Sequence, residues 1–482
     1  MNELLKKRMK KEKYSLVSID LFSGPGGLCT GFKWAGILPL IAVEWTDSTS
    51  ETYSKNHNAE VLHLSEYSQN KKVLDKFLHE TDRSLLIHGD INLVSEKMIK
   101  KLLLIRYGID SKAETIDIVS GGAPCESFSV AGKRIEGDER DVLFENIARI
   151  AKAVNSKSIL FENVKGLFSK RSPGGKKGDI FDYICNTFED KTTKPSYTLV
   201  SKKQDDILLR ACDYGVPQAR ERLFLVGIRN DLFDTVNFVY PEKTHGPGCK
   251  NPFVTVKDAF SDLPPVSMGE GDDTIGYGEY YNGKKKCQFP NYSSENKEWF
   301  LKIMRGDYNK DGLHSSIPKH LKDNKLYLKN SITYQKGPGH SPKKYALLKH
   351  IPAESSMKDY YKQLVSEGKL KEFDPKTGEK YEDLFPNKIY GSRNRRLKWN
   401  EPSFTVTSHC LDEIVHPKIP RSITPREAAR LQSFPDWYIF EGPYVQFHGD
   451  KEQDKYEQIG DAIPPLLAAA LGRQFVKSLP RK

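Results

Sequence analysis

The feature that most constrains the fold is an alternation of short apolar runs with helical patterns along residues 14–230. Each run is followed within two residues by a glycine, a carboxylate or an amide, and several are then followed by apolar residues spaced three to four apart. Strands that alternate with helices form a mostly parallel sheet covered on both faces. The sequence therefore predicts an α/β fold with a doubly wound sheet. The predicted strands are 14–22, 37–43, 84–88, 116–119, 158–161 and 222–228.

A glycine-rich loop, Asp20-Leu-Phe-Ser-Gly-Pro-Gly-Gly27, joins the first predicted strand to a helix over 28–35. It contains neither G-x-G-x-x-G nor a Walker lysine, so a phosphate ligand is not indicated. Glu44 ends the next strand, where an acid can bind ribose hydroxyls, and Asp90 lies one strand further on, where it could take an adenine amino group. Each acid is, singly, also typical of a helix cap. Together they predict a cofactor with a neutral ribose and a zwitterionic tail.

A cysteine follows the strand over 116–119, in the stretch Ser120-Gly-Gly-Ala-Pro-Cys125-Glu-Ser-Phe-Ser-Val-Ala-Gly132. The paired glycines permit a tight turn, and Pro124 restricts the backbone directly before the thiol. Open α/β sheets carry their chemistry at the carboxyl ends of their strands. We therefore interpret Cys125 as a nucleophile; a buried core cysteine is the alternative that the stretch leaves open.

Composition narrows the class of protein. The sequence has 75 Lys and Arg against 64 Asp and Glu, a formal net charge of +11, which favours a polyanionic partner but also fits a basic protein without one. The seven cysteines form no C-x-x-C pair, which argues against a disulfide framework and a structural zinc site. Residues 1–13 lack the apolar core of a signal peptide, and no apolar run reaches the ~18 residues of a membrane span. We expect a soluble protein of a reducing intracellular compartment, without membrane or metal.

The segment 231–420 differs from its surroundings, because it is rich in Gly, Pro, Asn, Lys and Tyr and lacks a sustained strand and helix alternation. We predict a second, irregular domain over 231–420, with 14–230 and 421–482 forming the first. Its tyrosines suit contacts with bases or sugars and, equally, small local cores. Regular structure returns at Thr424-Pro-Arg-Glu427, which predicts a helix with a capping box and proline at its first position.

The glycine loop, the Pro-Cys loop and four further motifs follow one another in a fixed order. The further motifs are Phe161-Glu-Asn-Val164, Gln218-Ala-Arg220-Glu-Arg222, Thr424-Pro-Arg-Glu-Ala-Ala-Arg430-Leu-Gln-Ser-Phe-Pro435 and Gln458-Ile-Gly-Asp-Ala-Ile-Pro-Pro465. In this order they resemble the motifs of the DNA (cytosine-5)-methyltransferase family, bacterial modification-methylase type. The resemblance covers roughly 15–230 and 390–477. It implies a Rossmann-like, S-adenosylmethionine-dependent methyltransferase sheet with a smaller, irregular target-recognition domain.

The resemblance also implies a reaction, in which a methyl group passes from S-adenosyl-L-methionine to carbon 5 of a flipped-out cytosine in a specific double-stranded DNA sequence. Cys125 is expected to add to carbon 6, Glu162 to neutralise N3, and Arg220 or its neighbour Arg222 to hold O2. The segment 128–141 is the expected lid over the DNA. The predicted cofactor-binding residues are Phe22, Gly24, Gly26, Gly27, Leu28, Glu44, Trp45, Asp90, Ile91, Pro124, Asp461 and Ala462. The predicted DNA contacts are Ser127, Lys133, Arg134, Arg140, Gln218, Arg393, Arg395 and Arg396; a solvated basic face is the alternative for the last three.

Two residues depart from the family pattern. Glu126 follows the Pro-Cys pair where glutamine is usual, and Asp461 precedes the final Pro-Pro motif where asparagine is usual. The first change bears on contacts of the loop with DNA phosphates, and the second on a hydrogen bond near the cofactor. Neither change removes a reacting group.

Two other functions compete with this interpretation. A transfer-RNA cytosine methyltransferase would use the same motifs, but the long segment 231–420 argues against it. A catalytically silent DNA-binding relative is disfavoured because Cys125, Glu162 and Arg220 occur together. We expect a monomeric, cytoplasmic bacterial enzyme that associates with the nucleoid through DNA and protects host DNA in a restriction–modification system. A cognate endonuclease would act on the same site without direct contact.

Overall fold

The structure is a computed structural model that describes residues 1–123, 143–172, 175–276, 293–322, 331–375, 378, 380–445 and 452–480, and the backbone of 279–282 and 285–288. The predicted nucleophile loop, including Cys125, lies outside the described residues. The strands are β1 (Leu16–Leu21), β2 (Ile37–Glu44), β3 (Glu60–His63), β4 (Leu85–His88), β5 (Ile118–Gly121), β6 (Ser158–Val164), β7 (Tyr197–Leu199), β8 (Leu208–Arg210), β9 (Glu221–Arg229), β10 (Gly271–Gly276), β11 (Glu279–Asn282), β12 (Lys285–Gln288), β13 (Asp307–Lys310), β14 (Leu313–Ser316), β15 (Ser331–Lys336), β16 (Arg395–Arg396) and β17 (Ile414–Val415).

Helices connect these strands and close the chain. They are α1 (Glu3–Glu12), α2 (Gly27–Ala35), α3 (Asp47–His57), α4 (Leu64–Gln69), α5 (Glu96–Tyr107), α6 (Glu145–Ala153), α7 (Asp179–Phe188), α8 (Gln204–Ile207), α9 (Val256–Phe260), α10 (Glu295–Met304), α11 (Lys319–Lys322), α12 (Pro342–His350), α13 (Met357–Ser366), α14 (Tyr381–Leu384), α15 (Cys410–Glu413), α16 (Pro425–Leu431), α17 (Lys455–Asp461) and α18 (Pro465–Ser478). Four 3₁₀ turns are also described, at Lys71–Phe77, Ile91–Leu93, Lys165–Ser169 and Ala211–Tyr214.

Nine strands of the described chain form the central sheet, in the order β3-β4-β2-β1-β5-β6-β9-β7, with β8 also paired to β9. The pairs from β3 to β6 are parallel. Strand β9 runs antiparallel to β6, β7 and β8. The strand order reverses about β1, so the carboxyl ends of β1, β2, β4, β5 and β6 meet along one edge. This is where a doubly wound sheet binds its ligands.

The central strands are buried on both faces because successive side chains point to opposite sides of the sheet. On one face, Leu16, Ile118 and Leu160 pack with the helices α2, α16 and α18. On the other face, residues of the same strands such as Val17 and Val119 pack with α1, α5, α6 and α7. The helices therefore cover both faces, and the predicted α/β, doubly wound architecture is confirmed.

The segment 231–420 carries short strand pairs in place of a large sheet. The pairs β10–β15, β11–β12 and β13–β14 are antiparallel and β16–β17 is parallel. A small separate core holds α12, α13 and α14 together through Leu348, Tyr360 and Leu384. Other residues of the segment, including Phe260 and Phe300, belong to the same core as α2 and α18. The segment is thus irregular, and part of it is continuous in packing with the main sheet.

Helix α16 confirms the predicted capping box. The Thr424 hydroxyl accepts from the Glu427 amide at 3.0 Å, the Glu427 carboxylate accepts from the Thr424 amide at 2.9 Å, and proline occupies the first helical turn. Arg430 of the same helix is fully buried and binds Asp262 at 2.7 Å and Asp436 at 2.6 Å. A buried arginine needs this pairing, so α16 fastens the irregular segment to the final part of the chain.

Candidate active site

The glycine-rich loop leaves β1 in an unusual backbone conformation. Phe22 has a φ of +58°, Gly24 of +55° and Gly26 of +95°. A side-chain carbon at Gly24 would meet no atom within 4 Å, whereas one at Gly26 would lie 2.3 Å from His57 Nε2 and one at Gly27 2.2 Å from the Ile463 oxygen. Gly26 and Gly27 therefore permit close packing beneath the loop, while Gly24 faces open space at the edge of the sheet.

Glu44 ends β2 and holds this loop. Its Oε2 accepts from the Gly24 amide at 2.8 Å, and its Oε1 accepts from the amide and hydroxyl of Thr46 at 3.0 and 2.8 Å. A carboxylate can accept about four hydrogen bonds, so Glu44 retains capacity for a hydroxyl group. The adjacent Trp45 is 49% exposed, which leaves its ring available for stacking on a flat ligand.

Asp20, at the end of β1, is a buried residue that the sequence interpretation did not single out. It accepts from the Ser120 hydroxyl at 2.7 Å and from the Cys29 thiol at 3.1 Å. Burial raises the pKa of Asp20 to about 6. Through these contacts one carboxyl joins the cofactor loop, α2 and the strand β5 that leads to the nucleophile loop.

The remaining predicted cofactor residues lie near the same edge of the sheet or in α17. Asp90 and Ile91 follow β4, and Asp90 Oδ1 accepts from the Asn92 amide at 2.9 Å, so it caps the 3₁₀ turn. Leu28 is buried in α2. Asp461, at the end of α17, is exposed and accepts from Gln453 Nε2 at 3.1 Å, and Ala462 is buried beside it. All of these positions remain predictions for cofactor contacts.

The loop fits a nucleoside cofactor that carries no phosphate. The space beside Gly24 is open to a ligand, and no lysine or arginine that could bind a phosphate occurs in 20–27. The buried hydroxyl of Ser23 has no hydrogen-bond partner among the described residues, so it can serve a polar group of a ligand. Glu44 and Trp45 supply a hydroxyl acceptor and a stacking surface at the end of the next strand. These features suit an adenosine with a zwitterionic amino-acid tail.

Glu162 lies near the carboxyl end of β6, on the same edge, and forms an ion pair with Arg222 of the antiparallel strand β9. The Arg222 Nε to Glu162 Oε1 distance is 3.1 Å, and both side chains are largely buried. Burial raises the pKa of Glu162, while Arg222 and Arg220 act in the opposite direction. A raised pKa favours a carboxyl that can donate a proton near neutral pH.

Gly122 and Asn163 connect Glu162 to the beginning of the predicted nucleophile loop. A side-chain carbon at Gly122 would lie 2.7 Å from Glu162 Oε2, so this carboxylate rests against the loop backbone. Asn163 is buried, and its Nδ2 donates to the Ala123 oxygen at 3.3 Å. Asn163 is not among the predicted site residues, although its position beside Glu162 in the same motif indicates a place in the site.

Gln218 requires a correction. It was predicted to contact DNA, but its side chain is 0% exposed. Its Nε2 donates to the Leu431 oxygen at 3.1 Å and to Gln432 Oε1 at 3.0 Å, and its Oε1 accepts from the Val406 amide at 2.7 Å. These bonds occupy the amide, so Gln218 joins the end of the irregular segment to α16 and offers no surface to DNA.

Arg220 is also buried, and it lies close enough to Glu162 to oppose the rise of its pKa. Its Nη1 donates to the Val406 oxygen at 2.7 Å. Gln218 and Arg220 thus both bind Val406, one through its amide and the other through its carbonyl. The predicted catalytic residues Glu162, Arg220 and Arg222 are brought together by the structure.

The three arginines predicted to contact DNA occupy different environments. Arg393 is exposed, with its guanidinium 5.2 Å from the centre of the Tyr390 ring. Arg395 is partly buried and lies 3.6 Å from the centre of the Phe404 ring. Arg396 is 8% exposed and donates to the oxygens of Ile351, Leu348 and His416 at 3.1, 2.5 and 2.8 Å. The DNA contact predicted for Arg396 is therefore corrected to a structural role.

Several predicted site residues fall outside the described part of the chain. They are Pro124, Cys125, Ser127, Lys133, Arg134 and Arg140, together with the departure Glu126 and the predicted lid 128–141. Within the described residues, no cluster of three metal-ligating side chains occurs. No helix in the described ranges has the length and apolar character that a membrane span requires.

A doubly wound sheet with a glycine-rich loop on β1 that suits a phosphate-free cofactor, and with a buried carboxyl–arginine pair at the same edge, is typical of an α/β group-transfer enzyme. The chain belongs to the C-5 cytosine-specific DNA methylase family, whose sequence profile matches residues 16–87 and 68–477, and it is a DNA (cytosine-5-)-methyltransferase. The family prediction and the enzyme class are thereby confirmed.

Named relatives and a solved structure are consistent with this assignment. The chain is 28% identical over 457 residues to the type II methyltransferase M.DdeI of Desulfomicrobium norvegicum, covering 95% of this chain and 88% of that protein. It is 29% identical over 498 residues to the type II methyltransferase M.AgeI of Thalassovita gelatinovora, covering 94% and 97%. A crystal structure described as a prophage-encoded DNA modification methyltransferase of E. coli has a TM-score of 0.60 and 24% identity, covering 96% and 99%, and supports the fold.

Proposed function

We propose that this enzyme methylates carbon 5 of one cytosine within a specific double-stranded DNA sequence, using S-adenosyl-L-methionine and a covalent bond to Cys125. The observation that carries the proposal is the buried Glu162–Arg222 pair, which lies against Gly122 and so next to the predicted nucleophile loop. A carboxyl so placed can act on the ring that the thiol attacks.

The ring of cytosine needs activation because carbon 5 is a weak nucleophile. The Cys125 thiolate forms a bond to carbon 6, and the electron pair of the 5,6 double bond moves to carbon 5 and the N3 side of the ring. Glu162 protonates N3, or donates a hydrogen bond to it, and so stabilises the added charge. After carbon 5 has gained its methyl group, a solvent base takes its proton, and the electron pair of that bond re-forms the 5,6 double bond. The bond from carbon 6 to sulfur then breaks to release the Cys125 thiolate, and N3 returns its proton to Glu162.

Arg220 and Arg222 have separate tasks in this proposal. Arg222 holds the Glu162 carboxyl at 3.1 Å, and Arg220, whose Nη1 donates to the Val406 oxygen, is assigned to O2 of the base. Carbon 5 is not accessible in a duplex, so the base must leave the stack at a cost of a few kcal/mol before it reaches these groups.

S-adenosyl-L-methionine supplies an electrophilic methyl group when it is bound. The residues that would hold it are the glycine loop at Gly24 and Gly26, Glu44 for the ribose hydroxyls, and Trp45 with Asp90 for the adenine. Pro124 and Asp461 would complete the site. The open space at Gly24 and the remaining capacity of Glu44 to accept hydrogen bonds support this arrangement.

We assign recognition of the DNA sequence to the domain predicted over 231–420. An exposed basic and aromatic group supports this, in which Lys388 lies 5.1 Å and Arg393 5.2 Å from the centre of the Tyr390 ring. Such groups contact phosphates and bases. Because the named relatives are type II methyltransferases, we also propose a role in protecting host DNA from a restriction endonuclease that shares the site.

The test is to incubate the purified protein and S-adenosyl-L-methionine with duplex DNA of known sequence and, separately, with transfer RNA. Bisulfite sequencing then locates 5-methylcytosine. We expect methylation of one cytosine in one recurring DNA sequence and none in transfer RNA. Methylation of transfer RNA alone, or of no substrate by a folded protein that binds the cofactor, would contradict the proposal.

A further inference from the structure

A cavity of about 820 Å³ lies apart from the proposed catalytic groups. It is bounded by the end of α1, by α2, by the end of α3 and by the β13–β14 hairpin with α11. Lys13 and Tyr14 line it just before β1 begins, whereas the cofactor loop follows the opposite end of that strand. Its size is within the range of about 300–1,000 Å³ that small-molecule sites occupy.

The walls of this cavity carry an excess of positive charge. Five lysines and arginines line it, against three aspartates and glutamates. One of the acids, Glu12, is already paired with Arg8 at 3.3 Å. Within the described ranges, the four lining lysines have no carboxylate at ion-pair distance; they are Lys11, Lys13, Lys33 and Lys319.

Lys33 is the most informative of these lysines. It is partly buried on α2, and burial, with a further contribution from Arg8, lowers its pKa to about 7. The charge of such a lysine is poorly solvated, and its ammonium group has no carboxylate at ion-pair distance among the described residues. A bound anion would therefore stabilise its charged form. His314 and His320, also in the wall, have pKa values lowered chiefly by burial.

The rest of the wall suits a ligand with hydrogen-bonding groups and a flat ring. Asn58 and Asn309 line the cavity, and four aromatic side chains lie with them: Tyr14, Trp34, Tyr308 and Trp437. Lysine ammonium groups bind phosphate oxygens through charge-assisted hydrogen bonds, and aromatic rings stack on bases. The combination matches a phosphate group, alone or attached to a nucleoside.

We propose that this cavity is a binding site for a phosphate-bearing anion, either free inorganic phosphate or the phosphate of a mononucleotide, with Lys33 and Lys319 as its principal cationic contacts. The cavity lies at the opposite end of β1 from the predicted cofactor loop, and its β13–β14 wall belongs to the segment 231–420. The proposal does not depend on the function proposed above.

The test measures binding to the full-length protein by isothermal titration calorimetry, with chloride keeping the ionic strength constant and the pH below the pKa of Lys33. The ligands are inorganic phosphate and uridine 5′-monophosphate, which lacks the adenine that the cofactor site would accept. We expect saturable binding, and a loss of about tenfold or more in affinity for Lys33→Gln, because a charged hydrogen bond is removed. Lys319→Gln, on a different element, should act in the same direction.

Lys7→Gln is the matched control, because Lys7 is an exposed lysine on α1 that does not line the cavity. It should leave the affinity unchanged, and saturating S-adenosyl-L-methionine should not displace the anion. Tighter binding of uridine monophosphate than of phosphate would identify the ligand as a nucleotide, and the reverse as the free anion. The proposal is overturned if neither ligand binds, if Lys7→Gln weakens binding as much as Lys33→Gln, or if the cofactor competes.

Discussion

The contact between Gly122 and Glu162 predicts that Gly122→Ala slows methyl transfer while the stability of the protein changes little. In Gly122→Ala, the new methyl group would lie 2.7 Å from Glu162 Oε2, which is too close for either atom to stay. The carboxylate is the end of a side chain and can rotate away, so the backbone need not move. Gly122 is not among the described glycines with positive φ, so alanine suits its conformation.

The expected size of the effect follows from this geometry. Displacing the carboxyl weakens its 3.1 Å contact with Arg222 and takes it out of reach of N3. A positioned acid contributes about 10²–10⁴-fold to a rate, and we expect the lower end, a loss of about 100-fold or about 2.7 kcal/mol. The free energy of unfolding should change by less than about 1 kcal/mol, the range for alanine at a compatible glycine.

The assay is single-turnover methyl transfer from labelled cofactor to duplex DNA, with thermal unfolding and cofactor affinity measured in parallel. Gly339→Ala serves as the control, because a side-chain carbon at Gly339 would meet no atom within 4 Å. In a Glu162→Ala background, Gly122→Ala should have almost no further effect. A rate within about threefold of wild type, or a full effect without Glu162, would refute the reasoning.

Three further predictions concern other contacts. Arg222→Gln removes a charge that lowers the pKa of Glu162, so the alkaline limb of the single-turnover pH profile should move to higher pH; an unmoved limb would contradict this. Glu44→Ala should weaken cofactor binding by about 1–3 kcal/mol in calorimetry, and unchanged affinity would place the ribose elsewhere. Arg396→Ala should lower the free energy of unfolding by about 2–4 kcal/mol, while the folded protein keeps its affinity for DNA. Arg393→Ala should leave the stability unchanged and reduce the slope of DNA affinity against salt concentration by about one. The opposite pattern would reverse these two roles.

The strands that carry the site could be predicted because their signal is local. Buried parallel strands are continuous apolar runs, and β1, β2, β4, β5 and β6 each end at residues with recognisable chemistry. The short edge strand β3 has only one fully buried residue, Leu62, and β7 and β8 have three residues each, so none carries a run long enough to be distinguished. Helix α1 buries only Leu5 and Met9, and its charged sequence conceals that contact.

The roles of the polar residues were harder to predict, because one side chain can bind either a ligand or the protein itself. The guanidinium of Arg396 meets backbone oxygens of distant residues, and the amide of Gln218 meets α16, more than 200 positions away. Nothing in the local sequence distinguishes these partners from phosphates or bases. The position of Asn163 against Ala123 likewise depends on the pairing of β5 with β6.

The central claim is that Cys125 forms a covalent bond to the target cytosine, and a suicide substrate tests it most directly. Duplex DNA with 5-fluorocytosine at the methylated position is incubated with the protein and S-adenosyl-L-methionine, and the mixture is then denatured and digested. Because fluorine cannot leave carbon 5 as a proton does, we expect a complex that survives denaturation, with the DNA attached to the peptide that contains Cys125, and no complex with Cys125→Ser. Normal methylation of unmodified DNA without any stable complex on the fluorinated duplex, or attachment to another residue, would contradict the claim.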